Sequence, residues 1–103
     1  MSWVKAVPAA TIAPGDYATV ELDSGFVAVF NVDGEFFALD DVCTHDGGGL
    51  AGGAIEDHQV ICPRHGARFC LRTGAALTPP AYAAVRCYAT RVVDGMIEIQ
   101  DVP

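Results

Sequence analysis

The chain has 103 residues, 51% of them hydrophobic and 18% charged, and a formal net charge of −7. That length suits one compact domain, expected to span residues 1–103, and the acidic balance argues against a nucleic-acid partner, because phosphate binding wants a basic face. The charge is uneven. Residues 1–57 hold ten acids and one lysine, and residues 58–103 hold five arginines and three acids. This is either a solvated acidic surface or an acidic docking face for a basic partner.

Helix signals are scarce in chain order and strand signals are common. The opening MSWVKAVPAATIAPG has no basic region followed by an apolar run, so no secretory leader is expected. Trp3 to Val7 predicts a short strand that ends at Pro8, and Ile12 to Gly15 a turn. Tyr17 to Leu22 and Phe26 to Val32 are runs rich in β-branched and aromatic residues. Asp33-Gly34 predicts a tight hairpin turn, since both central positions need positive φ, and Glu35 to Leu39 is the returning strand. Gln59 to Cys62 and Ala67 to Leu71 flank the turn Pro63 to Gly66. Arg86 to Val93, Asp94-Gly95 and Met96 to Gln100 predict a closing hairpin. The fold class is therefore all-β, an antiparallel sandwich or barrel. No uncharged stretch approaches the ~20 apolar residues of a spanning helix. A cytoplasmic protein without a membrane anchor is expected, and thiols stay reduced in that compartment, so a cysteine cluster there more often binds metal than forms disulfides.

Cys43-Thr44-His45 and Cys62-Pro63-Arg64-His65 stand apart from these strands. Each pair follows an apolar strand and opens into a loop, so the pairs lie at two loop tips at one end of the β scaffold. Glycines 47, 48, 49, 52 and 53 keep the first loop free of bulk and allow close backbone approach. Two thiolates and two neutral imidazoles can hold one tetrahedral zinc. They can equally hold a [2Fe-2S] cluster, with both cysteines on one iron and both histidines on the other. A zinc finger wants its cysteines paired together and its histidines together on a helix. Here each loop supplies one sulfur and one nitrogen, which suits a binuclear centre clamped from two sides.

This spacing, with sixteen residues between His45 and Cys62, resembles the Rieske motif. So do the Gly-rich insert, Ala67-Arg68-Phe69, Thr73-Gly74 and Pro79-Pro80-Ala81. The resemblance implies an all-β Rieske domain with a small cluster-binding subdomain at one end, its loops at about residues 43–66 and a third, proline-containing loop at about 77–81 shielding the cluster. It implies one [2Fe-2S] cluster per chain, Cys43 and Cys62 on the inner iron, His45 and His65 on the outer one. Neutral nitrogen ligands raise the potential above that of an all-cysteine centre.

Departures from the respiratory Rieske proteins narrow the expectation. Those proteins join the two loops by a disulfide, at positions that here are Gly48 and Arg64. They also carry two hydroxyls near the cluster sulfurs, where this chain has Ala67 and Phe69. Losing those donors disfavours added negative charge, so a potential near the low end of the Rieske range of about −150 to +300 mV is expected. The chain is similar to the Rieske-type ferredoxins of bacterial ring-hydroxylating dioxygenase systems. That implies a non-catalytic one-electron carrier between an NAD(P)H-dependent flavin reductase and a terminal Rieske non-haem iron oxygenase. The alternatives are a small Rieske-like subunit of an assimilatory nitrite reductase, or a structural zinc-binding interaction module.

Outside the two pairs, several residues carry expectations of their own. His58, beside Glu56 and Asp57, is expected as an exposed loop residue. Cys70 and Cys87 are expected to be buried as small hydrophobes, and Trp3 and Phe69 as core or cluster-shielding residues. Asp46 could tune the neighbouring imidazole or stand as an exposed acid. Arg64 and Arg68 bracket His65, and either could offset cluster charge or dock on a partner carboxylate.

Overall fold

A computed structural model of the protein describes residues 2–23, 25–44, 47–64, 66–79 and 81–101. Among these residues ten strands follow one another: β1 (Ser2–Pro8), β2 (Tyr17–Leu22), β3 (Gly25–Val32), β4 (Glu35–Asp40), β5 (Ile55–Glu56), β6 (Gln59–Ile61), β7 (Arg68–Cys70), β8 (Cys87–Tyr88), β9 (Thr90–Val93) and β10 (Met96–Asp101), with one short 3-10 turn at Ala9–Thr11. They form three sheets ordered β1-β10-β9, β2-β3-β4-β8 and β5-β6-β7, and every pairing is antiparallel. The expected β architecture, with a smaller unit carrying the two loops, is what the chain adopts.

Side-chain alternation along β3 explains how the sheets stack. Successive side chains point to opposite faces of a strand. Val27 and Val29 join Ile12, Leu22, Ala38, Tyr88, Ile97 and Ile99 in one buried cluster, which closes the first two sheets on each other. Ala28 and Phe30 join Leu39, Leu50, Val60, Phe69, Leu71 and Val85 in another, which seats the β5-β6-β7 unit. β3 is therefore covered on both faces, and Val27 to Asn31 are all buried. Each large apolar side chain so buried contributes about 1.5–3 kcal/mol. The buried Asn31 is satisfied: its Nδ2 donates to Ile12 O at 2.7 Å, and its Oδ1 accepts from Gly34 N at 2.8 Å.

The two predicted Asp-Gly turns form with left-handed central residues, Asp33 and Gly34 at φ 52° and 90°, Asp94 and Gly95 at φ 50° and 78°. A third turn of this kind was not expected. Asp57 and His58 sit at φ 51° and 57° and join β5 to β6. His58 is thus a half-buried turn residue, not an exposed loop residue. Its ring meets Phe37 edge-on, with centroids 5.8 Å apart.

Three further expectations are corrected. The run Arg86 to Val93 is two strands, because the chain leaves β4 after Tyr88 and joins β10 from Thr90. Cys70 is half-buried and Cys87 exposed, and neither is in a disulfide. Alternation turns Phe69 and Tyr88 inward, which sends the neighbouring cysteines outward. The Cys70 thiol is held below its usual pKa, chiefly by a hydrogen bond with the Thr73 side chain and against the effect of burial. Trp3 is half-buried rather than core, with the Arg91 guanidinium 4.1 Å above its ring. Arg91 in turn holds the nearly buried Glu98 carboxylate at 2.7 Å.

Candidate metal centre

Cys43 and Cys62 are 0% and 1% exposed and belong to the same buried cluster, although one follows β4 and the other follows β6. Their loops close identically. Cys43 N donates to Gly48 O at 2.6 Å and Cys43 O accepts from Gly47 N at 2.7 Å. Cys62 N donates to Ala67 O at 2.7 Å and Cys62 O accepts from Gly66 N at 3.0 Å. In both loops the residue four beyond the cysteine is glycine in the left-handed region, Gly47 at φ 77° and Gly66 at φ 76°. That conformation costs other residues roughly 1 kcal/mol or more. The sequence places a histidine inside each loop, His45 and His65; these, with Asp46 and Pro80, lie outside the described residues.

Polar side chains fix the loops to their surroundings. Asp41 Oδ1 accepts from Leu50 N at 2.7 Å and Ala51 N at 2.9 Å, which anchors the far end of the first loop. A strap of residues 76–79 and 81–85 crosses the same end of the molecule. Arg68 N donates to Thr78 Oγ1 at 2.9 Å, Leu77 N to Arg68 O at 2.8 Å, and Thr44 Oγ1 to Ala83 O at 2.5 Å. Ala81 is buried against the cysteine-containing cluster, while Leu77 and Tyr82 are exposed on the strap, Tyr82 by 84%. Ala67 and Phe69 are fully buried in that cluster and offer no hydroxyl to either sulfur.

The two arginines behave differently. Arg68 turns to Glu56 and Gln59, both at 3.3 Å. Arg64 Nη2 reaches Cys62 Sγ at 3.4 Å. Sequence reasoning left the pair undecided, and no local pattern separates them.

A pair of buried thiols, neither of them in a disulfide, presented by matched loops, supplies the soft sulfur donors that an iron-sulfur group takes. The described half of the donor set therefore fits such a centre, within a small β unit docked on a larger one. Residues 2–89 match the Rieske [2Fe-2S] domain, and the chain belongs to that family. Its cofactor is accordingly a Rieske-type [2Fe-2S] cluster.

Within the family, the chain is 40% identical over 93 residues to the biphenyl dioxygenase ferredoxin subunit of Pseudomonas sp. strain KKS102, covering 89% of this chain and 85% of that one. A chain of the complex of reduced oxygenase and oxidised ferredoxin in carbazole 1,9a-dioxygenase superposes with a TM-score of 0.87 at 28% identity, over 94% of this chain and 91% of that one. A Mycobacterium tuberculosis protein proposed to be an NADH-dependent nitrite reductase small subunit superposes with a TM-score of 0.89 at 29% identity, over 99% and 96%. Among the described residues, no helix is long and apolar enough to cross a membrane.

Proposed function

We propose that this protein is the ferredoxin component of a ring-hydroxylating dioxygenase system, a one-electron carrier rather than a catalyst. It takes single electrons from an NAD(P)H-dependent flavin reductase and delivers them to a terminal Rieske non-haem iron oxygenase in the cytoplasm. The residues act as one domain. Cys43 and Cys62 ligate one iron, and His45 and His65 the other. When bound, the cluster takes up one electron and gives it back.

The protein's own residues prepare that exchange. The twin loop closures at Gly47 and Gly66 hold the two cysteines in a dry setting. Asp41 and the strap contacts at Thr44 and Thr78 limit loop movement, so little reorganisation accompanies a change of charge. The strap also covers one side of the cysteine-bearing cluster through Ala81, while Leu77 and Tyr82 leave an exposed apolar edge for a partner to meet.

The observation that carries the reading is the 40% identity, over most of both chains, to a dioxygenase ferredoxin subunit. Similarity to the nitrite reductase small subunit supports the fold equally and the function less. The test uses purified holoprotein with NADH and the flavin reductase of a biphenyl dioxygenase system. The visible bands should bleach on reduction and return when terminal oxygenase, substrate and oxygen are added. Bleaching without return, together with stimulation of a nitrite reductase large subunit, would favour the rival reading.

A further inference from the structure

Arg64 of the second loop lies against Gly48 of the first. A Cβ built on Gly48 would lie 2.6 Å from Arg64 Cζ, 2.7 Å from Nη2 and 2.9 Å from Nε. Three guanidinium atoms at nearly equal distance mean that the planar group lies flat against the glycine backbone. The same group reaches Cys62 Sγ at 3.4 Å. Gly48 is not in the left-handed region, so its lack of a side chain is required by this close approach and not by its backbone conformation. The join is a cation seated on a glycine.

We propose that Arg64 is a positioning residue that clips the two loops together and raises the reduction potential of the centre. The proposal rests on the reading that Cys62 is an iron ligand; the sulfur that Arg64 faces would then be a metal-bound thiolate. The guanidinium is permanently charged and is a donor only. Reduction by one electron adds one negative charge to the centre. A fixed cation donating to a ligand sulfur stabilises that added charge more than it stabilises the oxidised state. Arg64 thus works against the low potential expected from Ala67 and Phe69. Arg68 cannot replace it, because its guanidinium is committed to Glu56 and Gln59.

The test is a double-mutant cycle on holoprotein, with the midpoint potential as the readout and the rate of iron transfer to a chelator as a second one. Wild-type iron and acid-labile sulfide are measured first; their absence would overturn the ligand reading and this proposal with it. Arg64→Gln should reduce the reduced-to-oxidised ratio at a fixed potential about tenfold, equivalent to a fall of about 59 mV for a one-electron couple. Arg64→Lys should recover part of that shift. Gly48→Ala, which displaces the guanidinium, should produce most of the shift in wild type and none in Arg64→Gln. All three should lose iron faster. A clip without an electrostatic role would speed iron loss at an unchanged potential. That result, or a Gly48→Ala effect that simply adds to Arg64→Gln, would overturn the proposal. If Arg64→Gln fails to retain its cluster, the potentials of Arg64→Lys and Gly48→Ala decide by the same criteria.

Discussion

β3 faces two cores at once, and they are built differently. On one side Val27 and Val29 meet Ile97 and Ile99 from another sheet, and the strands there are held in antiparallel ladders. On the other side Ala28 and Phe30 support a cluster that includes two cysteines and is roofed by loops. The loops are held by individual contacts: Asp41 on Leu50 and Ala51, Thr44 on Ala83, Thr78 on Arg68, and Arg64 against Gly48. Apolar burial is non-directional and sets the stability of the body. Hydrogen bonds are directional and cost more when broken inside than they add when made. A site that must hold two metal-ligating arms in one geometry accordingly relies on the second kind of contact at its tip and the first kind beneath it.

Substitutions should separate the two regions. Cys43→Ser should have the largest effect. Iron and acid-labile sulfide should fall at least tenfold, while amide exchange in β2, β3 and β4 stays protected; loss of protection throughout would mean that the body depends on the centre. Ile99→Ala, in the body core, should cost about 2–5 kcal/mol in urea unfolding and leave the midpoint potential unchanged. Asp41→Ala removes an acceptor of two backbone N–H groups, each such charge-assisted bond contributing about 1.5–3 kcal/mol. It should speed iron loss to a chelator, and by a larger factor than Ile99→Ala does. Glu35→Gln breaks the exposed Arg72–Glu35 pair at 3.7 Å and should change stability by less than about 1 kcal/mol, with no effect on iron retention.

Legibility in the sequence follows the same division. The strands of the body were readable because β-branched alternation and Asp-Gly turns are local signals. β3 and β4 were expected within one residue of their bounds at each end. The break at Ala89 was not readable, because Arg86 to Val93 holds no glycine, proline, asparagine, aspartate or serine to mark the point where the chain changes sheets. The Asp57–His58 turn was missed because it lacks the glycine that marks the other two turns and a two-residue strand carries no pattern. At the tip, Cys43 and Cys62 announced themselves by spacing. The contact of Arg64 with Gly48 joins residues from loops separated by the β5–β6 hairpin, and no neighbouring residue signals it. Trp3 and Cys87 were misplaced because hydrophobicity predicts burial only on average, whereas strand alternation decided the face.

Everything about the tip depends on a binuclear iron centre of mixed sulfur and nitrogen ligation. Anaerobically purified protein, analysed for metal and sulfide and then reduced for EPR, tests this most directly. The account predicts two irons and two acid-labile sulfides per chain and a reduced-state signal whose average g value lies below that of the free electron. A colourless protein that contains one zinc and no sulfide would contradict it.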